Sequence, residues 1–188
     1  PAAVSVNVDA GVCTTALANV TLGTPTTGDN CSVASTTNDA PASFPLGNTT
    51  VTWTVTDGSG NTATATQVVT VVDNIDPTIT APAAVSVNVD AGVCTTALAN
   101  VTLGTPTTGD NCSVASTTND APASFPLGNT TVTWTVTDGS GNTATATQVV
   151  TVVDNIDPTI TAPAAVSVNV DAGVCTTALA NVTLGTPT

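Results

Sequence analysis

The stretch VVDNIDPTITAPAAVSV begins at Val71 and again at Val152, and sets two aspartates, an asparagine and a proline between runs of alternating valines. The chain has no lysine, arginine or histidine, so these carboxylates have no side-chain cation to neutralise them. All 13 acidic residues are aspartate and the formal charge is −13. Clustered carboxylates must therefore turn to water, to backbone N–H groups or to a metal ion. Calcium takes six to eight oxygens from carboxylates, amides and carbonyls, which are the donors that aspartate and asparagine supply. Catalysis has little to work with: there is no histidine or lysine and no nucleophile elbow. A pair of carboxylates working as a glycosidase acid and base needs a cleft, which small β repeats rarely form. No enzyme is expected. Such a charge also repels nucleic acid and anionic membranes, and the missing lysine excludes a lysine–asparagine isopeptide bond.

The second reactive set is cysteine. Cys13 and Cys31 lie 18 residues apart and recur as Cys94 and Cys112. Two cysteines with no histidine make a poor zinc site, so the expectation is a disulfide within each repeat, Cys13–Cys31 and Cys94–Cys112, each worth about 3 kcal/mol by loop closure. Cys175 is expected to find its partner beyond Thr188. Oxidised cysteines place the chain outside the reducing cytosol, in the extracellular space or at a cell surface. Asn19 in NVT and Asn48 in NTT match the acceptor pattern for N-linked sugar, a pattern that a chain rich in Asn and Thr also produces by chance.

These residues are carried on a repeat. Pro1, Pro82 and Pro163 each open the text PAAVSVNVDAGVCTTALANVTLGTPT, giving a period of 81 residues; residues 1–81 and 82–162 are identical, and 163–188 copy the first 26 positions. The window reads as cut from a longer array. AVSVNVD alternates Val4, Val6 and Val8 against polar residues, the mark of a strand with one buried face. TVTWTVTD repeats the pattern with Val51, Trp53 and Val55 inward. DGSGN at 57–61 is a turn, and TATATQVVTVV is the returning strand. Shorter strands are expected at Asn19–Leu22 and Ser32–Thr36, with a bend at FPLGN. Threonine and valine suit a pleated, half-buried surface. The fold class is all-β: tandem immunoglobulin-like Greek-key sandwiches arranged end to end.

DPTITAP, then GDNC, then FPLGNTTVTWTVTDGSGNTATATQVVTVVD resembles the hyalin repeat (HYR) module. The resemblance implies an immunoglobulin-like sandwich of extracellular adhesive and structural proteins and brings no catalytic residues. On that basis residues 1–73 form a domain lacking its first strand, 74–154 a complete domain, and 155–188 the opening of a third. The acidic stretch is then a joint of a few residues. Asp73, Asn74 and Asp76 should approach Asp110 and Asn111, with Asp138 nearby, and Asp9 and Asp39 should face the joint from the other side. Asp154, Asn155 and Asp157 repeat the set one period on. The arrangement resembles the cadherin linker, in which neighbouring domains share calcium. The expected role is a structural module of a stalk, fibre or filament whose partners are identical neighbouring domains and whose joints calcium stiffens. The alternatives are a calcium-dependent adhesin that meets surface glycans or cells, and a subunit of a strand-exchanged filament.

Overall fold

The structure is a computed structural model that describes residues 1–188, the Asn181 side chain excepted. Residues Pro1–Val153 form one compact unit and Asp154–Thr188 a second.

Within the first unit the first repeat folds around a hairpin of two long strands, β5 (Gly47–Asp57) and β6 (Thr62–Val72). On one flank β1 (Val4–Asn7) runs parallel to β6; on the other β3 (Val33–Asn38) runs antiparallel to β5. The sheet order is therefore β1-β6-β5-β3. A two-stranded sheet of β2 (Thr14–Ala16) and β4 (Ser43–Pro45) accompanies it. The period-2 pattern decides what is buried. Val51, Trp53, Val69 and Val71 point inward with Val8, Val20 and Phe44, while cross-strand pairs such as Thr52 with Thr66 and Thr54 with Thr64 occupy the other face. Phe44 is fully buried, which stabilises the fold by about 1.5–3 kcal/mol. The turn at 57–61 closes the hairpin through the Asp57 carboxylate, and Gly60 supplies the positive φ of 88°. Gly47, with φ 92°, makes the bend between β4 and β5 that FPLGN foretells.

The second repeat builds the same frame. In chain order its strands are β7 (Thr78–Thr80), β8 (Val85–Asn88), β9 (Thr95–Ala97), β10 (Thr107–Gly109), β11 (Val114–Asn119), β12 (Ser124–Pro126), β13 (Gly128–Asp138) and β14 (Thr143–Val153). The four-stranded sheet is β11-β13-β14-β8, with pairs β9–β12 and β7–β10 beside it. β7 comes from the stretch between the repeats, pairs antiparallel with β10, and puts Ile79 against the second core. The matching Thr26–Gly28 of the first repeat has no such partner among the described residues and stays irregular.

Two expectations change. Asn19–Leu22 is not a strand: Leu17–Asn19 form a 3-10 turn, closed by Val20 N–H donating to the Leu17 carbonyl. Its valine and leucine still reach the core, which is why the apolar spacing read as a strand. The cysteine pairs also differ. Cys13 is bonded to Cys112, 99 residues away, and Cys31 and Cys94 are exposed thiols.

The second unit carries the same text as residues 1–26 yet forms no strand among its described residues, only a 3-10 turn at Leu179–Asn181 and isolated backbone bonds. In the first repeat VSVN is ordered by parallel pairing with β6. Residues 154–188 contain no such strand, and Val166, Val168 and Val170 remain exposed.

Candidate metal centre at the joint between the repeats

The joint is assembled from the exit of β6, the loop that opens with Gly109, and the loop before β2. After the buried Val71 the chain reaches Asp73, which is only 4 % exposed. Its Oδ1 accepts from the Ile75 backbone N–H at 3.1 Å, closing a local turn. Ile75 packs against the first core and Pro77 is buried. Thr78 then begins β7, where its hydroxyl donates to the Gly109 carbonyl at 3.0 Å. Five residues of main chain thus carry Asp73 to the edge of the GDNC loop.

That loop is shaped by Asp110, whose Oδ2 accepts from the Cys112 and Ser113 backbone N–H groups, both at 2.8 Å. The Asn111 amide reaches back across the joint, its Nδ2 lying 3.3 Å from both the Asp73 Oδ1 and the Val12 carbonyl. Asn142 Nδ2 donates to the Asp73 carbonyl at 3.2 Å. The Cys13–Cys112 disulfide closes the other side, and Cys112 packs against the first core.

Three side-chain oxygens are buried here without a hydrogen-bond partner: Asp73 Oδ2, Asp110 Oδ1 and Asn111 Oδ1. Oxygens of Asp73 and Asp110 and the Cys112 sulfur lie within 4.8 Å of one another. Buried polar atoms are nearly always satisfied, and two carboxylates this close repel. The sulfur is tied up in the disulfide and offers no thiolate, so the available donors are hard oxygens, two of them anionic. That set suits calcium, completed by water, and not a thiophilic metal.

The remaining acidic residues stand elsewhere. Asn74 and Asp76 are exposed on the connecting stretch. Asp138 is buried but committed to its own turn, accepting from the Ser140 and Asn142 backbone N–H groups and from Asn142 Nδ2. Burial works to raise its pKa, and those hydrogen bonds outweigh it, leaving the carboxyl below its ordinary value. Asp57 is lowered by the Asn61 side chain and backbone N–H, and Asp29 by the Cys31 and Ser32 N–H groups. Asp9 does not present its carboxylate to the joint: its oxygens accept from Ala16 N–H and Asn19 Nδ2. Asp39 Oδ1 likewise accepts from Thr52 N–H. Asp154, Asn155 and Asp157 are exposed in the second unit, where Asp154 Oδ1 accepts from Ile156 N–H. Asn48 is exposed on β5. Asn142 and the cross-repeat disulfide were missed from the sequence. With Cys31 and Cys112 sitting in identical text, nothing local says which one Cys13 meets.

A model of the HYR domain matches residues 5–71 and 72–152. The chain belongs to the HYR domain family. Hyalin of Lytechinus variegatus is 35 % identical to it over 132 residues, 67 % of this chain and 25 % of that protein, so the chain spans about a quarter of its relative. Among solved structures it is similar to extracellular cadherin domains 1–4 of protocadherin gamma B7, at 12 % identity and TM-score 0.36, covering 88 % of this chain and 53 % of that one. Mouse cadherin-23 EC22–24 aligns at 18 % identity and TM-score 0.28, over 57 % of this chain and 43 % of that one. This HYR chain is an extracellular repeat module, and its repeats are bridged by a disulfide suited to that compartment. No helix among the described residues is long and apolar enough to cross a membrane.

Proposed function

We propose that this chain is a load-bearing section of an extracellular repeat array, a stalk or filament, and that calcium bound at the joint locks one repeat onto the next. The role is mechanical and not catalytic, and the partners are identical neighbouring domains. The single observation that carries the reading is the set of three buried, unpartnered oxygens contributed from both sides of the joint. Asp73 comes from the exit of one sheet, Asp110 and Asn111 from the loop of the next, so an ion held by all three couples the two bodies. Identity of the repeats adds support, since a spacer gains from uniform units. The division into domains at 1–73, 74–154 and 155–188 belongs to this reading: Ile79 serves the second core, while Ile75, just past the first boundary, rests on the first core and ties the two domains together.

Small-angle scattering of the chain in calcium and in chelator tests the proposal. Calcium is expected to narrow the distribution of interdomain distances, and Asp73→Asn with Asp110→Asn to abolish the narrowing. Identical profiles in calcium and chelator would reject calcium stiffening.

A further inference from the structure

The joint holds two cross-links of different chemistry in one place. Asp110 and Asn111, which carry two of the three unpartnered oxygens, immediately precede Cys112 in sequence, and Cys112 is bonded to Cys13 of the preceding repeat. The GDNC loop is therefore tethered to the first repeat at two points. One is the main chain through Thr78, paired with Gly109. The other is the disulfide. The remaining links are hydrogen bonds of 3.2–3.3 Å from the Asn111 and Asn142 amides. A loop held at one end can hinge; held at both, it keeps Asp110 against Asp73. Without the second tether the mutual repulsion of the two carboxylates is opposed by the Thr78–Gly109 pairing and those long amide contacts, and the chain contains no basic side chain to neutralise it.

We propose that the Cys13–Cys112 disulfide is the redox control of the cation site at this joint: oxidised, it presents a preorganised oxygen site for a hard divalent cation, and reduced, it releases the site. This inference rests on the calcium reading above and adds its regulation. In the switching step a dithiol reductant gives up two electrons and two protons and becomes a cyclic disulfide; the S–S bond breaks and Cys13 and Cys112 each gain a thiol hydrogen. Linkage makes the effect reciprocal: whatever factor the disulfide adds to calcium affinity, calcium adds to the equilibrium favouring the disulfide.

The test uses the full chain with Cys31, Cys94 and Cys175 replaced by serine, so that redox chemistry is confined to one bond. Calcium binding is measured by calorimetry on the oxidised and dithiol-reduced forms, and Asp110→Asn marks which binding belongs to the joint. Reduction is expected to weaken that binding at least tenfold, and Cys13→Ser to reproduce the loss without reductant. In glutathione buffers of fixed ratio, saturating calcium should shift the thiol–disulfide equilibrium toward the disulfide by the same factor. Equal affinities in the two forms, within twofold, would overturn the coupling and leave the site standing. Binding that is absent from the oxidised chain, or indifferent to Asp110→Asn, would overturn the site and the coupling together.

Discussion

Replacing Asp73 by asparagine should change the stability of the joint in opposite directions with and without calcium. Asparagine keeps the side-chain oxygen that accepts from the Ile75 N–H and removes one of two negative charges whose oxygens lie within 4.8 Å. At an effective dielectric of about 20 that repulsion is on the order of 3.5 kcal/mol, and about 1 kcal/mol if the pair is fully solvated. In chelator Asp73→Asn should therefore stabilise the second repeat and its joint by about 1–3 kcal/mol. In calcium at about a hundred times the dissociation constant the native chain gains about 2.7 kcal/mol by mass action, and the variant gains little. The advantage of the variant then shrinks to nothing or reverses. Guanidinium denaturation, followed through Trp134 with Trp53 replaced by phenylalanine, reads both arms. A variant less stable than the native chain in chelator would refute the reasoning, because Asp73 would then contribute more as a turn former than it costs as a charge.

Two further perturbations follow from the core and the turn. Gln67 is buried, accepts from Trp53 Nε1 at 3.0 Å, and donates to the carbonyls of Ala2 at 2.7 Å and Leu22 at 2.8 Å. Gln67→Leu strands all three partners, at about 1 kcal/mol each, so urea denaturation of the first repeat should show a loss of about 3 kcal/mol; a loss below about 1 kcal/mol would mean water replaces the amide. The lowered pKa of Asp57 arises from the Asn61 side chain and its N–H, so its charged form is favoured by the fold. The stability it adds is present above the ordinary carboxylate value and is lost as pH falls through the folded pKa. Denaturation between pH 5 and pH 2 should become less pH-dependent in Asp57→Asn, and an unchanged slope would reject the turn as the acid-sensitive element.

Much of the frame was legible because it is local. The alternation of Val51, Trp53 and Val55, the DGSGN turn and the inward Val4 and Val6 follow from period and turn chemistry alone. The expected approach of Asp73 to Asp110 and Asn111 came from the immunoglobulin-like string that the family resemblance implies, in which the end of one domain meets the opening loops of the next. What escaped depends on three-dimensional choice between equivalent residues. Cys13 meets Cys112 and not Cys31, and a repeat of perfect identity conceals that distinction. Gln67 reads as an ordinary outlier in a threonine-rich strand until the opening chain and the segment at Leu22 are seen to converge on it. The text PAAVSVNV makes a strand at Val4 and none at Val166, because strand formation there depends on a β6 partner and not on propensity.

The parallel pairing of β1 with β6 and the bond from Cys13 to Cys112 together define a load path. Tension entering a repeat near its first strand and leaving through its last acts along adjacent parallel strands, so their hydrogen bonds are sheared together and not unzipped one by one. The disulfide then provides a covalent shortcut past the residues between its two cysteines, 99 positions apart. Were the first sheet to tear, the chain from Cys13 to the start of β7 at Thr78, about 220 Å of contour, would stay locked behind that bond and the chain would barely lengthen. Reduction would release that hidden length, turning an inextensible tie into a shock absorber.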